Sequence, residues 1–166
     1  PGTGKTFAAA TLAAALGLPL TCVDLDAVSP ENYPDSLTAS PSDDASLLLV
    51  KQGQQWFGRQ PQVESTWLHQ WLQWHGQFGL TLVSVQTLEL IRPRWRQKFD
   101  SILTFPRPDT PARRRLWQQA FGPSYNTQKL DWTAIARQLP LTGGEIQAIA
   151  QTVRLDLQAR GRTTVT

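Results

Sequence analysis

Four short apolar runs, separated by polar or helix-forming stretches, organise the first two-thirds of the chain. Residues 20–25 (LTCVDL) place β-branched and apolar side chains densely enough to predict a strand. Residues 46–50 (SLLLV) form a continuous apolar run, the pattern of a parallel strand covered on both faces. Residues 80–85 and 101–105 read as two further strands. Between these runs the period changes to that of a helix. Residues 7–16 are almost all Ala and Leu, with Gly17 placed to end the helix in a left-handed conformation. Residues 63–75 carry Trp67, Leu68, Trp71, Leu72 and Trp74 at helical spacing, which predicts one broad apolar face. Residues 29–44, rich in Pro, Ser, Asp and Asn, read as loop. After residue 107 only helical patterns follow, over 110–121, 130–139 and 144–159. Strands alternating with helices predict an α/β parallel sheet. The expected division is an α/β core over 1–107 and a small helical subdomain over 108–166.

Composition narrows the partners without naming one. The chain has 166 residues, of which 40% are hydrophobic and 17% charged, the balance of a globular protein rather than a disordered one. A net charge of +3 permits nucleic acid but supplies no dense basic stripe. Arg92, Arg94, Arg96 and Lys98, with Arg113, Arg114 and Arg115, are where such a groove would have to form; the first four equally suit a subunit interface facing a nucleotide. Cys22 is the only cysteine, so no internal disulfide forms and a reducing, cytoplasmic setting is expected. No apolar run reaches the roughly 20 residues of a membrane span. His69 and His75 have no Cys or acidic companions at ligand spacing.

The chemistry is concentrated at the beginning of the chain. Gly2-Thr3-Gly4-Lys5-Thr6 runs straight into the first predicted helix. Glycines let backbone N–H groups approach an anion at a helix N-terminus, where the helix dipole adds to the attraction. Lys5 is then the residue to reach the β and γ phosphates, and the Thr6 hydroxyl the one to ligate Mg²⁺. Gly2, Thr3, Gly4, Lys5, Thr6 and Phe7 are the expected nucleotide-binding residues.

This loop resembles the second half of the phosphate loop of AAA+ family P-loop ATPases. Residues 18–25 resemble that family's second strand, residues 94–100 and 104–109 its approach to the fifth strand and lid, and residues 141–146 (LTGGEI) the glycine turn that opens the last lid helix. The resemblance runs end to end apart from 29–44. It implies strand order 5-1-4-3-2, ATP and Mg²⁺ as cofactors, an oligomer of such subunits, and Gly144 near the nucleotide. A protein client would also fit. The first strand would lie before Pro1, so the chain is expected to be a fragment that folds poorly by itself.

Several positions depart from the family pattern. Where its third strand ends in Asp-Glu, this chain has Lys51 and Gln52: a positive charge in place of a metal-binding carboxylate, and an amide that cannot take a proton from water. Gln86 falls where an Asn sensor is usual, and the arginine pair before Phe-Asp falls on Gln97 and Lys98, which lack the guanidinium fork. No aromatic-apolar-Gly loop for gripping a polypeptide is found, Tyr33-Pro34 being a poor stand-in. The leading expectation is an ATP-binding module with weak or absent hydrolysis, acting as a nucleotide-dependent switch in an oligomer. Two rivals stand beside it. One is a working ATPase whose acid comes from elsewhere, Glu64 and Asp100 being nearest; the other is a non-catalytic scaffold or decayed gene copy whose loop is a relic.

Overall fold

The computed structural model describes residues 2–28 and 46–165, with the side chains of 74–78 left aside. It divides into two compact units: residues 5–103, and residues 104–166 together with 1–4. The loop expected over 29–44, with Tyr33 and Pro34, falls outside the described residues.

The first unit opens with helix α1 (Lys5–Leu16), built from the Ala-rich run, with Ala9 and Ala13 as its buried positions. Small side chains there let the helix lie close to the sheet. Gly17 takes φ +66°, and the Leu18 N–H donates to the Ala13 carbonyl at 2.9 Å, so the helix ends in the left-handed turn that its glycine allows. Three parallel strands follow: β1 (Leu20–Asp24), β2 (Ser46–Lys51) and β3 (Gly79–Val83), ordered β1-β2-β3. The register pairs Leu20 with Leu47 and Asp24 with Lys51 on one side of β2, and Ser46 with Gly79 on the other. The central strand is covered on both faces, as its unbroken apolar run requires: Leu47 to Val50 are all buried.

A short helix α2 (Gln54–Phe57) leaves β2 directly, and α3 (Ser65–Phe78) leads into β3. A further short helix, α4 (Pro93–Arg96), follows β3. Their aromatic side chains build the core of this unit. Trp56 and Phe57 are fully buried, and the Trp56 ring meets Trp71 and Trp67 edge to face, with centroids 5.0 and 5.4 Å away. Phe57 meets Trp95 at 5.5 Å and Phe99 at 5.3 Å in the same manner. Edge-to-face contacts add attraction beyond the area buried. Of the tryptophan face predicted on 63–75, Leu68 and Trp71 are buried core and Trp67 and Leu72 pack against it, while the Trp74 side chain lies outside what is described.

One predicted strand is absent. Residues 101–105 form no regular element, and Ile102 and Leu103 are 49% and 78% exposed. A strand exists only through its ladder bonds, and no strand among the described residues pairs with this segment.

The second unit holds α5 (Thr110–Phe121), α6 (Trp132–Gln138) and α7 (Gly143–Ala159). Each begins at a side-chain cap: Asp109 accepts from the Ala112 N–H, Asp131 from Thr133 and Ala134, and Thr142 from Glu145. Their core joins Trp117, Phe121, Ala136, Ile146 and Ala150, with Trp132 packed against it.

Candidate nucleotide site

Both glycines of the predicted phosphate loop adopt conformations that a side chain would disfavour, φ +75° at Gly2 and +95° at Gly4. Gly2 also has no room for one. A Cβ there would lie 2.5 Å from the Thr142 hydroxyl and 3.3 Å from its Cβ. The close neighbour on the other side is Gly144, whose N–H donates to the Gly2 carbonyl at 2.8 Å and whose own added Cβ would meet the Gly2 Cα at 2.8 Å. Two glycines distant in sequence thus face each other because each lacks a side chain. The structure brings Gly2 and Gly144 together.

The start of α7 is closed by its own side chains. The Thr142 hydroxyl accepts from the Glu145 N–H, while the Thr142 N–H and hydroxyl both donate to Glu145 Oε2 at 2.7 Å. The Glu145 carboxyl is held below its ordinary 4.5, first by the Thr142 backbone N–H, then by the Thr142 hydroxyl, with Arg107 adding a smaller electrostatic pull.

In the first unit Lys5 and Thr6 begin α1, with Phe7 beside them 78% exposed. Since α1 packs on β1 and β2 and its last turn leads into the start of β1, its N-terminus lies at the edge where the strands end. That edge is where ligands bind in parallel α/β sheets. Gln86 lies just past β3 at the same edge and is exposed.

Sequence reasoning singled out Lys51 and Gln52 at this edge but overlooked the carboxylates beside them. The Gln52 amide donates to Asp26 Oδ2 at 2.7 Å and its carbonyl oxygen accepts from Gln54 Nε2 at 2.9 Å. Gln55 also donates to Asp26. Gln52 takes φ +58°, the one left-handed residue other than glycine among those described. The backbone on both sides of it is tied to neighbouring strands: the Lys51 carbonyl accepts from Leu25 at 3.4 Å and the Gly53 N–H donates to Ser84 at 3.0 Å. Lys51 reaches Asp24 at only 4.0 Å, with side chains 32% and 41% exposed. Asp24 further accepts the Asp26 N–H at 3.2 Å. The signal that would have found these two acids is the parallel register itself, which puts Asp24 opposite Lys51.

Glu64 and Asp100, the acids nearest in sequence reasoning, are placed otherwise: Glu64 precedes α3 and Asp100 follows α4. The expected Mg²⁺ does not fit the strand-end donors. Mg²⁺ is usually held through one or two carboxylates besides phosphate oxygens. Here β2 ends in an ammonium; Asp26 accepts from the Gln52 and Gln55 amides, and Asp24 accepts the Asp26 N–H and lies 4.0 Å from Lys51. Among the described residues no group of three or more His, Cys, Asp or Glu is arranged to hold a metal.

Four of the basic residues singled out in the sequence hydrogen-bond within their own unit. Arg92 donates to the Arg59 carbonyl, Arg94 to Ser65 Oγ at 2.9 Å, and Arg96 to the Ile91 carbonyl at 2.9 Å, all within the first unit. In the second unit Arg113 donates to the Ala136 and Pro108 carbonyls and to Thr110. His69 holds the Ser65 carbonyl at 2.8 Å. Among the described residues no helix is long and apolar enough to cross a membrane.

The parallel three-stranded sheet with its helices is a mixed α/β fold. Among the solved structures that share it is one described as "Structural Basis for Katanin Self-Assembly". The match has a TM-score of 0.74 at 18% identity and covers 96% of this chain. The chain spans 57% of the length of that one, and at this identity the likeness establishes the fold alone. No family model and no curated protein matches the sequence.

Proposed function

We propose that this chain is the ATP-binding module of an AAA+ type oligomer, in which nucleotide acts as a switch or as glue between subunits and is hydrolysed weakly or not at all. Residues 1–107 serve as the nucleotide core and 108–166 as its lid. Gly2, Thr3, Gly4, Lys5, Thr6 and Phe7 bind the nucleotide with Gly144, and Gln86 is the strand-end sensor. Katanin self-assembly favours the oligomer, since the fold is shared. A ligand that binds one assembly state better than another shifts the population toward it, which is all that a switch requires.

The observation that carries this reading is the state of Gln52. Left-handed glycines lead into Lys5 and Thr6, the residue types phosphate binding needs. The position that should orient the attacking water is instead an amide with both ends engaged, by Asp26 and Gln54. An amide so held neither accepts a proton nor turns toward a water.

Calorimetry with ATP and ADP, alongside phosphate release, tests this. Lys5→Ala should weaken ATP binding by about 1.5–3 kcal/mol, the range for hydrogen bonds to charged groups, while the parent releases no phosphate above background. Turnover that Lys5→Ala abolishes would make the chain a working ATPase. Absence of binding would leave the scaffold.

A further inference from the structure

The mismatch between Mg²⁺ and the strand-end donors has a counterpart in charge. A nucleoside polyphosphate needs positive charge near its terminal phosphates, and in P-loop sites a metal ion bridges them. Here the end of the central strand offers an ammonium. Lys51 lies in a segment fixed by ladder bonds on both sides, from Leu25 to its own carbonyl and from Gly53 to Ser84. Among the described residues its one ion pair, with Asp24, is at 4.0 Å, and its side chain keeps 32% exposure. Asp26, the other carboxylate at this edge, accepts from the Gln52 and Gln55 amides. Lysine is a compact point charge with three donors on a flexible stem, suited to an anion that arrives without a metal.

From this we infer that Lys51 is a built-in countercharge for the phosphates of a bound nucleotide, so that the chain binds nucleotide without requiring Mg²⁺. The inference rests on the nucleotide reading above. It gives the Asp24–Lys51 pair a role: Asp24 holds the ammonium when phosphate is absent and releases it when phosphate is present.

The test is titration of the intact protein with a fluorescent ATP analogue, once with excess Mg²⁺ and once with excess EDTA. Circular dichroism of each variant confirms that it folds. The affinities in the two media should agree within about threefold, and Lys51→Gln should lower the affinity in EDTA by about tenfold or more, the loss of one charge-assisted contact. Lys51→Asp should make binding depend on Mg²⁺. A parent that binds only with Mg²⁺, and loses that binding in Asp24→Asn, overturns the inference in favour of Asp24 as a relocated metal carboxylate, and leaves the nucleotide reading standing. No binding in either medium, with Lys5→Ala indistinguishable from the parent, overturns both.

Discussion

Two polar networks in this chain use similar residues and end differently. At the start of α7, Thr142 and Glu145 satisfy each other: the Thr142 N–H and hydroxyl go to one carboxylate oxygen, and Thr142 is only 4% exposed. At the ends of β1 and β2, Asp26 gathers the Gln52 and Gln55 amides, but Lys51 is left with an ion pair at the limit of reach. The first network is closed, and it holds a glycine-sized gap against Gly2. The second keeps a charge in reserve at the edge of the sheet. A closed network fixes a backbone, whereas a charge left loosely paired can answer a ligand. That contrast separates scaffold from chemistry here better than residue type does.

The largest expected effect removes the ground beneath the second network. Trp56 follows Gln54 and Gln55 in α2 and is fully buried among Phe57, Trp67 and Trp71. Trp56→Ala should lower stability by about 3–5 kcal/mol, read by denaturant unfolding. A loss under about 1 kcal/mol would mean that the aromatic cluster does not anchor α2 and the strand-end residues before it.

A smaller effect tests the gap that the first network guards. Gly144→Ala places a methyl group 2.8 Å from the Gly2 Cα, so backbone must move. Ala normally stabilises a helix over Gly by about 1 kcal/mol. A net loss of about 1–3 kcal/mol in spite of that preference, with weaker nucleotide binding, is expected from thermal melts and titration. A gain in stability would show that the Gly2–Gly144 contact imposes no constraint.

Much of this was legible before the fold was known, for reasons that differ from element to element. The run SLLLV announced a doubly covered strand because nothing but burial on both faces suits it, and β2 is that strand. The helix over 110–121 was legible to the residue because Asp109 caps it and Gly122 ends it. Residues 101–105 misled because apolar spacing reports a preference for pairing and not the presence of a partner. The short helices α2 and α4, four residues each, leave too little periodicity to detect. At the site, Lys51 and Gln52 were legible as departures from an expected acidic pair. Asp24 and Asp26 were not, since they meet the β2 end only through parallel register, 26 or more residues away in sequence.

The smallest expected effect bears on how closed the first network is. Thr142→Ala removes the cap of α7 and should cost about 1 kcal/mol at neutral pH. The partner of that cap is a carboxylate whose folded value lies below its ordinary 4.5 because Thr142 donates to the ionised form. Such a group contributes stability that is fully present above 4.5 and is lost as the pH falls through the lowered folded value. The difference in melting temperature between parent and Thr142→Ala should therefore hold steady from neutral pH down to 4.5 and shrink below it. Glu145→Gln should flatten that dependence, because an amide cannot ionise. A difference between parent and Thr142→Ala that stayed constant well below 4.5 would assign the cap's effect to the helix N–H groups alone. The Thr142–Glu145 pair would then be no more closed than the strand-end pair, and the contrast between the two networks would rest on Lys51 only.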